Sequence, residues 1–303
     1  MDKILLHPVS KFYAPYNFLT NSSDSVNEWY EELVRAVDTE ELLLFGTDNG
    51  VEIYYRYLKW DSEFFNVPTY RIDYTYIPDS VKNSKESFDS IFTHLKLLHP
   101  EFYLFAEVPS EDIQSLTSMT AAGYSLIESR LTYFNDQIQK FEAGRRYATR
   151  QANVDDIDAL NEVAAGAVNI YDRFHADDFF TSEEADKFLA KYTENSVHGF
   201  ADEVMVPADG PANAFLTANY LESSRCMENK KLAKMVLSAV SLERRGWYVK
   251  LISEMTIKFK EKGVDLAFMT TQSTNRAVLK VWASFGYRFG KSSHILSKYS
   301  RNR

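Results

Sequence analysis

The sequence contains a single cysteine, Cys226, among 303 residues. One thiol excludes an internal disulfide and is typical of a protein from a reducing compartment. A catalytic thiol would need a partner base, and nothing next to Cys226 in sequence has that character. We therefore interpret it as an ordinary thiol.

An excess of positive charge is missing as well. The chain has 34 Lys and Arg against 43 Asp and Glu, a net charge of −9 and a pI of about 5.3. A general nucleic-acid binder needs a basic face, so the composition argues against a nucleic-acid partner. It still leaves room for a locally basic pocket that holds a phosphorylated ligand.

Long apolar runs are also absent. The start, MDKILLHPVSKFY, lacks the apolar run of a signal peptide, and no segment approaches the roughly 20 apolar residues that cross a bilayer. We therefore expect a cytoplasmic protein without a membrane partner. Hydrophobic residues at 45%, aromatic residues at 15% and the length indicate a globular protein of about two domains with aromatic-rich cores or pockets.

Hydrophobic periodicity predicts strands and helices in two series. The predicted strands are 40–45, 51–57, 70–77, 102–108, 124–134, 146–150, 203–206, 214–221, 235–242, 266–271 and 287–297. The predicted helices are 25–37, 85–98, 155–165, 183–192 and 247–262, with further helix starts at Asp112 and Asn275. The alternation favours an α/β (α+β) sheet covered by helices. The polar segment 135–144 separates the series, which predicts domains 1–140 and 145–303.

The two series contain similar stretches. With an offset of 163 residues, Gly123-Tyr124 aligns with Gly286-Tyr287, and Asp112 aligns with Asn275. Both stretches read as strand, capped helix, Gly-Tyr and strand. Chance similarity between two ordinary units is the alternative, but the coincidence of cap, apolar face and Gly-Tyr favours a duplicated architecture.

The segment 235–252, MVLSAVSLERRGWYVKLI, reads as an apolar strand, a basic turn with one glycine, and a helix. Free amides at a helix start and the helix dipole favour an anion at such a junction. Arg244 and Arg245 add positive charge. An ordinary turn with solvated arginines is the alternative.

The stretch 270–287, TTQSTNRAVLKVWASFGY, resembles the last strand–helix–strand unit of the GNAT acetyltransferases, with Asn275 and Gly286-Tyr287 at the family's intervals. The family's [QR]-x-x-G-x-[GA] signature falls on Glu243, Gly246 and Tyr248, of which only Gly246 matches. The resemblance implies a C-terminal GNAT domain, preceded by a smaller GNAT-like domain. It also implies acetyl-CoA as cosubstrate and no metal.

The resemblance further implies that the CoA pyrophosphate lies on the amides of residues 244–249 and that a strand amide near Val240 holds the oxyanion. The implied cofactor-binding residues are Val240, Leu242, Arg244, Arg245, Gly246, Trp247, Tyr248, Val249 and Asn275. For Asn275, a simple helix cap is the alternative.

In this sequence, the acid that protonates the CoA thiolate has to differ from the one usual in the resembled family. Trp282 replaces the tyrosine that protonates the CoA thiolate in many GNAT enzymes, and an indole N–H is not an acid near neutral pH. Tyr248, His294 and Tyr287 are the candidate acids. Glu222 is the candidate base. His198 and His175 are further options for the base, and a solvated carboxylate is the alternative for Glu222.

The segment 169–180, NIYDRFHADDFF, lies where the resembled architecture lines its acceptor site. Arg173, Phe174 and His175 could stack on and pair with a nucleotide or sugar. A packed loop with Asp–Arg pairs is the alternative. A metal site with Asp177 and Asp178 is less well supported, because no second ligand cluster is evident.

The segment 58–73, LKWDSEFFNVPTYRID, resembles part of the dTDP-fucosamine acetyltransferases. That resemblance implies direct attack by the amine of a nucleotide-linked amino sugar on the thioester. An amino acid, peptide or polyamine acceptor stays open. A GNAT-like CoA- or ligand-binding module without catalysis stays open too, because positions 243, 248 and 282 depart from the family. Strand edges left open by the pattern make a homodimer plausible.

Overall fold

The computed structural model describes residues 2–19, 23–142, 144–167, 169–222 and 227–301. Cys226 lies outside them. The chain forms two compact units: unit 1 comprises residues 1–130 and 291–303, and unit 2 comprises residues 131–290. These bounds differ from the expected domains 1–140 and 145–303, because two strands each begin in one unit and end in the other.

The described residues form helices and strands throughout both units. The helices are α1 (Asp2–Leu6), α2 (Ser10–Tyr13), α3 (Ser23–Asp38), α4 (Lys59–Phe65), α5 (Lys85–Leu98), α6 (Ile113–Ala121), α7 (Ile157–Gly166), α8 (Arg173–Ala176), α9 (Ser182–Asn195), α10 (Trp247–Glu261) and α11 (Arg276–Ser284). The strands are β1 (Leu43–Gly46), β2 (Glu52–Tyr57), β3 (Thr69–Tyr76), β4 (Phe102–Pro109), β5 (Ser125–Asn135), β6 (Thr149–Gln151), β7 (Glu203–Pro207), β8 (Ala214–Leu221), β9 (Leu232–Val240), β10 (Leu266–Gln272) and β11 (Arg288–Ser300). None of the described helices has an apolar stretch long enough to cross a membrane.

The sheet of unit 1 has the order β1-β2-β3-β4-β11, followed by the first part of β5. Among β1–β2, β2–β3, β3–β4 and β4–β11, only β3–β4 is parallel. Helix α5 buries Phe88, Ile91 and Leu95 completely. They belong to a core cluster that also contains Leu104 of β4 and Leu296 of β11. This helical spacing of apolar residues is what fixes α5 on the sheet.

The sheet of unit 2 begins with the second part of β5 and continues β10-β9-β8-β7-β6. Only β9–β10 is parallel among the registered pairs from β6 to β10. Leu216 of β8 shares a core cluster with α10, whereas the neighbouring Phe215 shares one with Leu160 of α7. Alternate side chains of a strand point to opposite faces, so helices cover both faces of this sheet.

The predicted internal similarity is present in the structure. Asp112 and Asn275 occupy the N-cap positions of α6 and α11. Gly123 and Gly286 both follow their helix with φ of +82°, a conformation that favours glycine. The next residues, Tyr124 and Tyr287, are each only 2% exposed. Both units therefore contain the same strand–helix–Gly-Tyr–strand arrangement.

Candidate functional site

Strands β9 and β10 of unit 2 part along their length. They pair in parallel only where Leu232–Lys234 face Leu266–Phe268, although β9 continues to Val240 and β10 to Gln272. The described backbone therefore leaves a gap that opens toward the carboxyl ends of both strands. In sheets of this kind, ligands bind at the carboxyl ends of parallel strands.

A bulge in β9 accompanies the parting. The register between β8 and β9 shifts between Leu216 and Ala218. Opposite the shift, the Leu237 N–H donates to the buried Thr217 hydroxyl over 2.9 Å, and that hydroxyl approaches the Leu237 carbonyl at 3.2 Å. A bulge bends and twists its strand, which is consistent with β9 leaving β10. The sequence pattern did not single out Thr217, whose only signal is a hydroxyl inside an apolar strand.

The predicted Val240 is the last residue of β9. The next amide, Ser241 N–H, donates to the Asn213 carbonyl over 3.0 Å on the β8 side. Successive amides of a strand point to opposite edges, so the Val240 N–H points to the gap. Its direction is the one required of an oxyanion donor.

A turn without a side-chain cap follows β9 at the open, carboxyl end of the gap. Residues Leu242–Arg244 form a short 3-10 helix, Gly246 has φ of +89°, and α10 starts at Trp247 with no side chain capping its amides. A Cβ on Gly246 would meet no atom within 4 Å, so the space next to the turn is open. Exposed amides and the dipole of this 15-residue helix favour an anion here.

The cations of this turn are arranged differently from the prediction. The Arg244 guanidinium donates to Asn213 Oδ1 over 2.9 Å and to the Asp209 carbonyl over 2.8 Å, so it ties the turn to the β7–β8 loop. Arg245 is exposed. Lys250 Nζ, which sequence reasoning missed, lies 4.5 Å from the centre of the Trp247 ring. Arg245 precedes α10 and Lys250 lies in its first turn, so both cations belong to the segment around the uncapped helix start.

The other predicted residues of the turn also have defined positions. Leu242 and Val249 are exposed, at 77% and 42%, and Trp247 is buried. On the α11 side, Asn275 makes no capping hydrogen bond and instead donates from Nδ2 to Thr271 Oγ1 over 3.2 Å. Its position at the helix start is as predicted, but its side chain is not a cap.

A buried pair connects α10 with α11. The Trp282 indole N–H donates to the Tyr248 hydroxyl over 2.7 Å. Burial raises the pKa of Tyr248 well above its ordinary value, the Trp282 hydrogen bond lowers it, and the charge of Tyr287 raises it. Tyr248 is therefore a neutral phenol whose own proton is still available to an acceptor. The Tyr287 hydroxyl contacts Thr256 Oγ1 at 3.1 Å within the core.

The predicted His294 and Glu222 have defined positions in the structure. His294 belongs to unit 1, where Nε2 lies 3.0 Å from the Ser110 hydroxyl and Nδ1 lies 3.0 Å from the Ser129 hydroxyl. Glu222 is exposed and follows Leu221, which faces Leu232 at the start of β9. That is the end where β9 and β10 are still paired, roughly 25 Å along the strand from Val240 at about 3.3 Å per residue.

The predicted acceptor residues are tightly packed. Asp172 caps α8 by accepting from the amides of Phe174 and His175, and the Phe174 ring lies 4.1 Å from the Phe188 ring. His175 is sandwiched between Asp172 Oδ2 at 2.8 Å and Asp186 Oδ1 at 3.0 Å.

The two neighbouring carboxylates shift the pKa of His175. Burial lowers the pKa of His175, but the hydrogen bonds and charges of Asp186 and Asp172 outweigh it, so the net shift is upward. The described residues contain no group of three or more His, Cys, Asp or Glu that could hold a metal ion.

No family model and no curated protein matches this chain. Solved structures do match it in fold. A GCN5-related N-acetyltransferase from Sphaerobacter thermophilus is 13% identical over 90% of this chain and 86% of its own, with a TM-score of 0.58. A tandem GNAT protein from the clavulanic acid biosynthesis pathway is 12% identical over 91% of this chain and 95% of its own, with a TM-score of 0.51.

This chain has the fold of the GCN5-related N-acetyltransferases. A third structure, a glucosamine N-acetyltransferase region of a fungal multi-domain β-N-acetylglucosaminidase, is 12% identical over 82% of this chain and 31% of its own, with a TM-score of 0.55. The likeness to a tandem protein over nearly the whole length agrees with the repeated strand–helix–strand arrangement. The GNAT fold and the smaller GNAT-like N-terminal part, both expected from the sequence, are confirmed.

Proposed function

We propose that this protein is an acetyl-CoA-dependent N-acetyltransferase whose site is the gap between β9 and β10. The observation that carries the proposal is the combination of that gap with the uncapped start of α10 at its open end. The pantetheine arm would follow the free edge of β9, and the pyrophosphate would lie against the amides after Gly246. Arg245 and Lys250 would add positive charge for the phosphates.

The acceptor amine attacks the thioester carbon directly. The Val240 N–H, directed to the gap, stabilises the oxyanion of the tetrahedral intermediate. Collapse of the intermediate breaks the carbon–sulfur bond, and the Tyr248 hydroxyl gives its proton to the departing thiolate. Trp282 positions that hydroxyl by donating to its oxygen, which leaves the phenolic proton free to point elsewhere.

The base that receives the amine proton has more than one candidate. His175 is disfavoured, because its two carboxylate partners raise its pKa and occupy both ring nitrogens. The exposed His198 stays a candidate, whereas Glu222 lies at the end of β8 that is distant from Val240. An amine that arrives unprotonated needs only a water molecule to accept its proton.

The acceptor we propose is an amino sugar carried on a nucleotide. Its support is the resemblance of residues 58–73 to dTDP-fucosamine acetyltransferases, together with a likeness in fold to a glucosamine N-acetyltransferase region. Phe174 and His175 would act from beneath the acceptor surface as packing and charge, because contacts with α9 hold both. The Arg173 guanidinium lies 4.2 Å from the centre of the Phe174 ring and would add positive charge there. A thiol-release assay across nucleotide amino sugars, free amino sugars, amino acids and polyamines distinguishes these acceptors.

Calorimetric titration with acetyl-CoA tests the site itself. Gly246→Asp should weaken acetyl-CoA binding at least roughly tenfold, about 1.4 kcal/mol, because it sets a carboxylate beside the phosphates. Gly246→Asn is the matched control, since asparagine has the same shape and tolerates positive φ. Equal binding by the two variants would refute the placement of the pyrophosphate. Absence of acetyl-CoA binding by the unchanged protein at millimolar concentration would refute the function.

A further inference from the structure

Unit 1 has a parting of strands like that of unit 2. Strands β3 and β4 pair in parallel from Thr69–Ile72 to Tyr103–Ala106 and then continue without registered pairs to Tyr76 and Pro109. A cavity of about 240 Å³ starts at this point, where Ile72, Asp73 and Glu107 line it. We refer to it as the unit 1 cavity. All of its lining residues belong to unit 1.

The N-terminal helices occupy the place that a CoA arm would need. The Tyr13 hydroxyl donates to Asp112 Oδ2 over 2.7 Å, and Asp112 is the residue that matches Asn275 of unit 2. Trp29 packs edge-on against Tyr74 of β3 at 5.0 Å. Tyr13 and Trp29 also line the cavity. Its volume is below the 300–1,000 Å³ of typical drug-sized sites, so it suits a small metabolite.

Two of the acidic groups at the cavity already have partners. Asp73 accepts from Arg56 and Arg71, each over 2.6 Å. Glu107 accepts from the Ser293 hydroxyl over 2.7 Å and from Arg130 over 3.2 Å. These carboxylates are therefore built into the wall and are not waiting for a ligand.

Other polar groups of the lining lack partners within the described residues. The Lys291 ammonium forms no hydrogen bond or ion pair there, and neither does the Glu111 carboxylate at the rim. The buried Asn17 Oδ1 has no hydrogen-bond partner, although Asn17 Nδ2 donates to the Phe12 carbonyl over 3.1 Å. An unpaired buried polar atom destabilises the folded protein, and a bound ligand that supplies its partner removes that cost.

We propose that the unit 1 cavity binds a small zwitterion of the α-amino acid class. The ligand's carboxylate would pair with Lys291, and its ammonium would donate to Asn17 Oδ1 and Glu111. An amino acid carries an anionic group and several N–H donors on adjacent atoms, as this lining requires. The aromatic rings of Phe12 and Trp29 would face its side chain.

The electrostatics of Lys291 agree with this assignment. Burial lowers the pKa of the Lys291 ammonium, and the charges of Glu107 and Glu111 only partly oppose that shift. A carboxylate next to the ammonium would replace the solvation that burial removes. Binding of the ligand should therefore raise the pKa of Lys291.

Calorimetry on the full-length protein tests the proposal with L-leucine and L-glutamine as probes, and with two analogues of leucine. The analogues are 4-methylpentanoate, which lacks the amine, and 3-methylbutylamine, which lacks the carboxylate. At least one amino acid should bind, and its analogues should bind at least tenfold more weakly. No binding of either amino acid at millimolar concentration, or equal binding of leucine and an analogue, would overturn the assignment.

Substitutions test whether the amino acid binds in the unit 1 cavity and whether that binding is independent of acetyl-CoA binding. Lys291→Met and Glu111→Gln should each weaken amino acid binding at least fivefold, whereas Lys96→Met, an exposed lysine of α5, should leave it unchanged. Unchanged affinity in both cavity variants would overturn the proposal. Acetyl-CoA binding should be the same in all three variants, so a failure here is distinguishable from a failure of the proposed transferase function. An unaltered thermal unfolding midpoint checks that each variant is folded.

Discussion

At the scale of residues, the pair Tyr248–Trp282 explains how the candidate site can depart from the pattern of the resembled sequences. Two of the three departing positions are joined by a 2.7 Å hydrogen bond from the Trp282 N–H to the Tyr248 oxygen. Since the indole cannot give up a proton near neutral pH, the phenol is the group of the pair that can. The two departures thus compensate each other under the proposed function.

Tyr248→Phe should lower kcat roughly 100-fold with little change in KM for acetyl-CoA, because it removes the proposed acid. Trp282→Phe should lower kcat roughly tenfold, because the Tyr248 phenol stays but loses the N–H group that orients it. Thiol release under single-turnover conditions measures both. Tyr287→Phe serves as control, since that hydroxyl is bonded to Thr256 in the core. An equal loss in the Tyr287 variant would indicate a general packing effect instead of proton transfer.

The sequence located the backbone of the site better than its side chains. Gly246 and Asn275 were predicted at the starts of α10 and α11, and both lie there. The partners of Arg244 and the pairing of Tyr248 with Trp282 were not predicted. Those contacts join residues about 30 positions apart in the chain, and no local pattern specifies which distant side chain fills a given space.

At the scale of elements, His175 holds α8 to α9 through Asp172 and Asp186. Because these carboxylates raise the pKa of His175 above its ordinary value of 6.5, the stabilisation is complete below about that pH. It is lost as the pH rises through the raised folded-state pKa. The contact is therefore a stabilising clamp of unit 2 in slightly acidic and neutral solution.

His175→Gln should lower stability by about 2 kcal/mol at pH 6, as expected for charge-assisted hydrogen bonds, and by less as the pH increases above neutrality. Denaturant unfolding at a series of pH values measures the difference. His198→Gln, which changes an exposed histidine of the same unit, should show no such trend. A deficit for the His175 variant that grows with pH would contradict the proposed charge state.

Strands and long helices were predictable from periodicity, and short helices were not. All eleven predicted strand segments overlap the eleven strands that the described residues form, because apolar alternation and turn residues mark them. Helices α1, α2, α4 and α8 were missed. They have four to seven residues, too few for a helical period to show, and tertiary contacts rather than propensity sustain them.

At the scale of the whole molecule, the chain completes unit 1 with its last strand. Residues 293–300 of β11 pair antiparallel with 102–109 of β4, although more than 180 residues separate them in sequence. The predicted boundary at 135–144 could not reveal this, because composition marks linkers but not the return of a distant strand. The apolar pattern of 287–297 is compatible with either unit.

Leu296→Ala should therefore destabilise unit 1, although the strand that carries Leu296 begins in unit 2. Leu296 is 1% exposed within the core cluster that contains Leu104 and Phe88, so the truncation should cost about 2–5 kcal/mol. Hydrogen exchange should accelerate at the β4 amides and stay unchanged at the amides of β8. Leu97→Ala, the same substitution at an 82% exposed position of α5, should leave hydrogen exchange unchanged in both β4 and β8. Faster exchange in β8 than in β4 would mean that the last strand supports unit 2, and that the division of the chain at residues 130 and 290 does not describe its cooperative units.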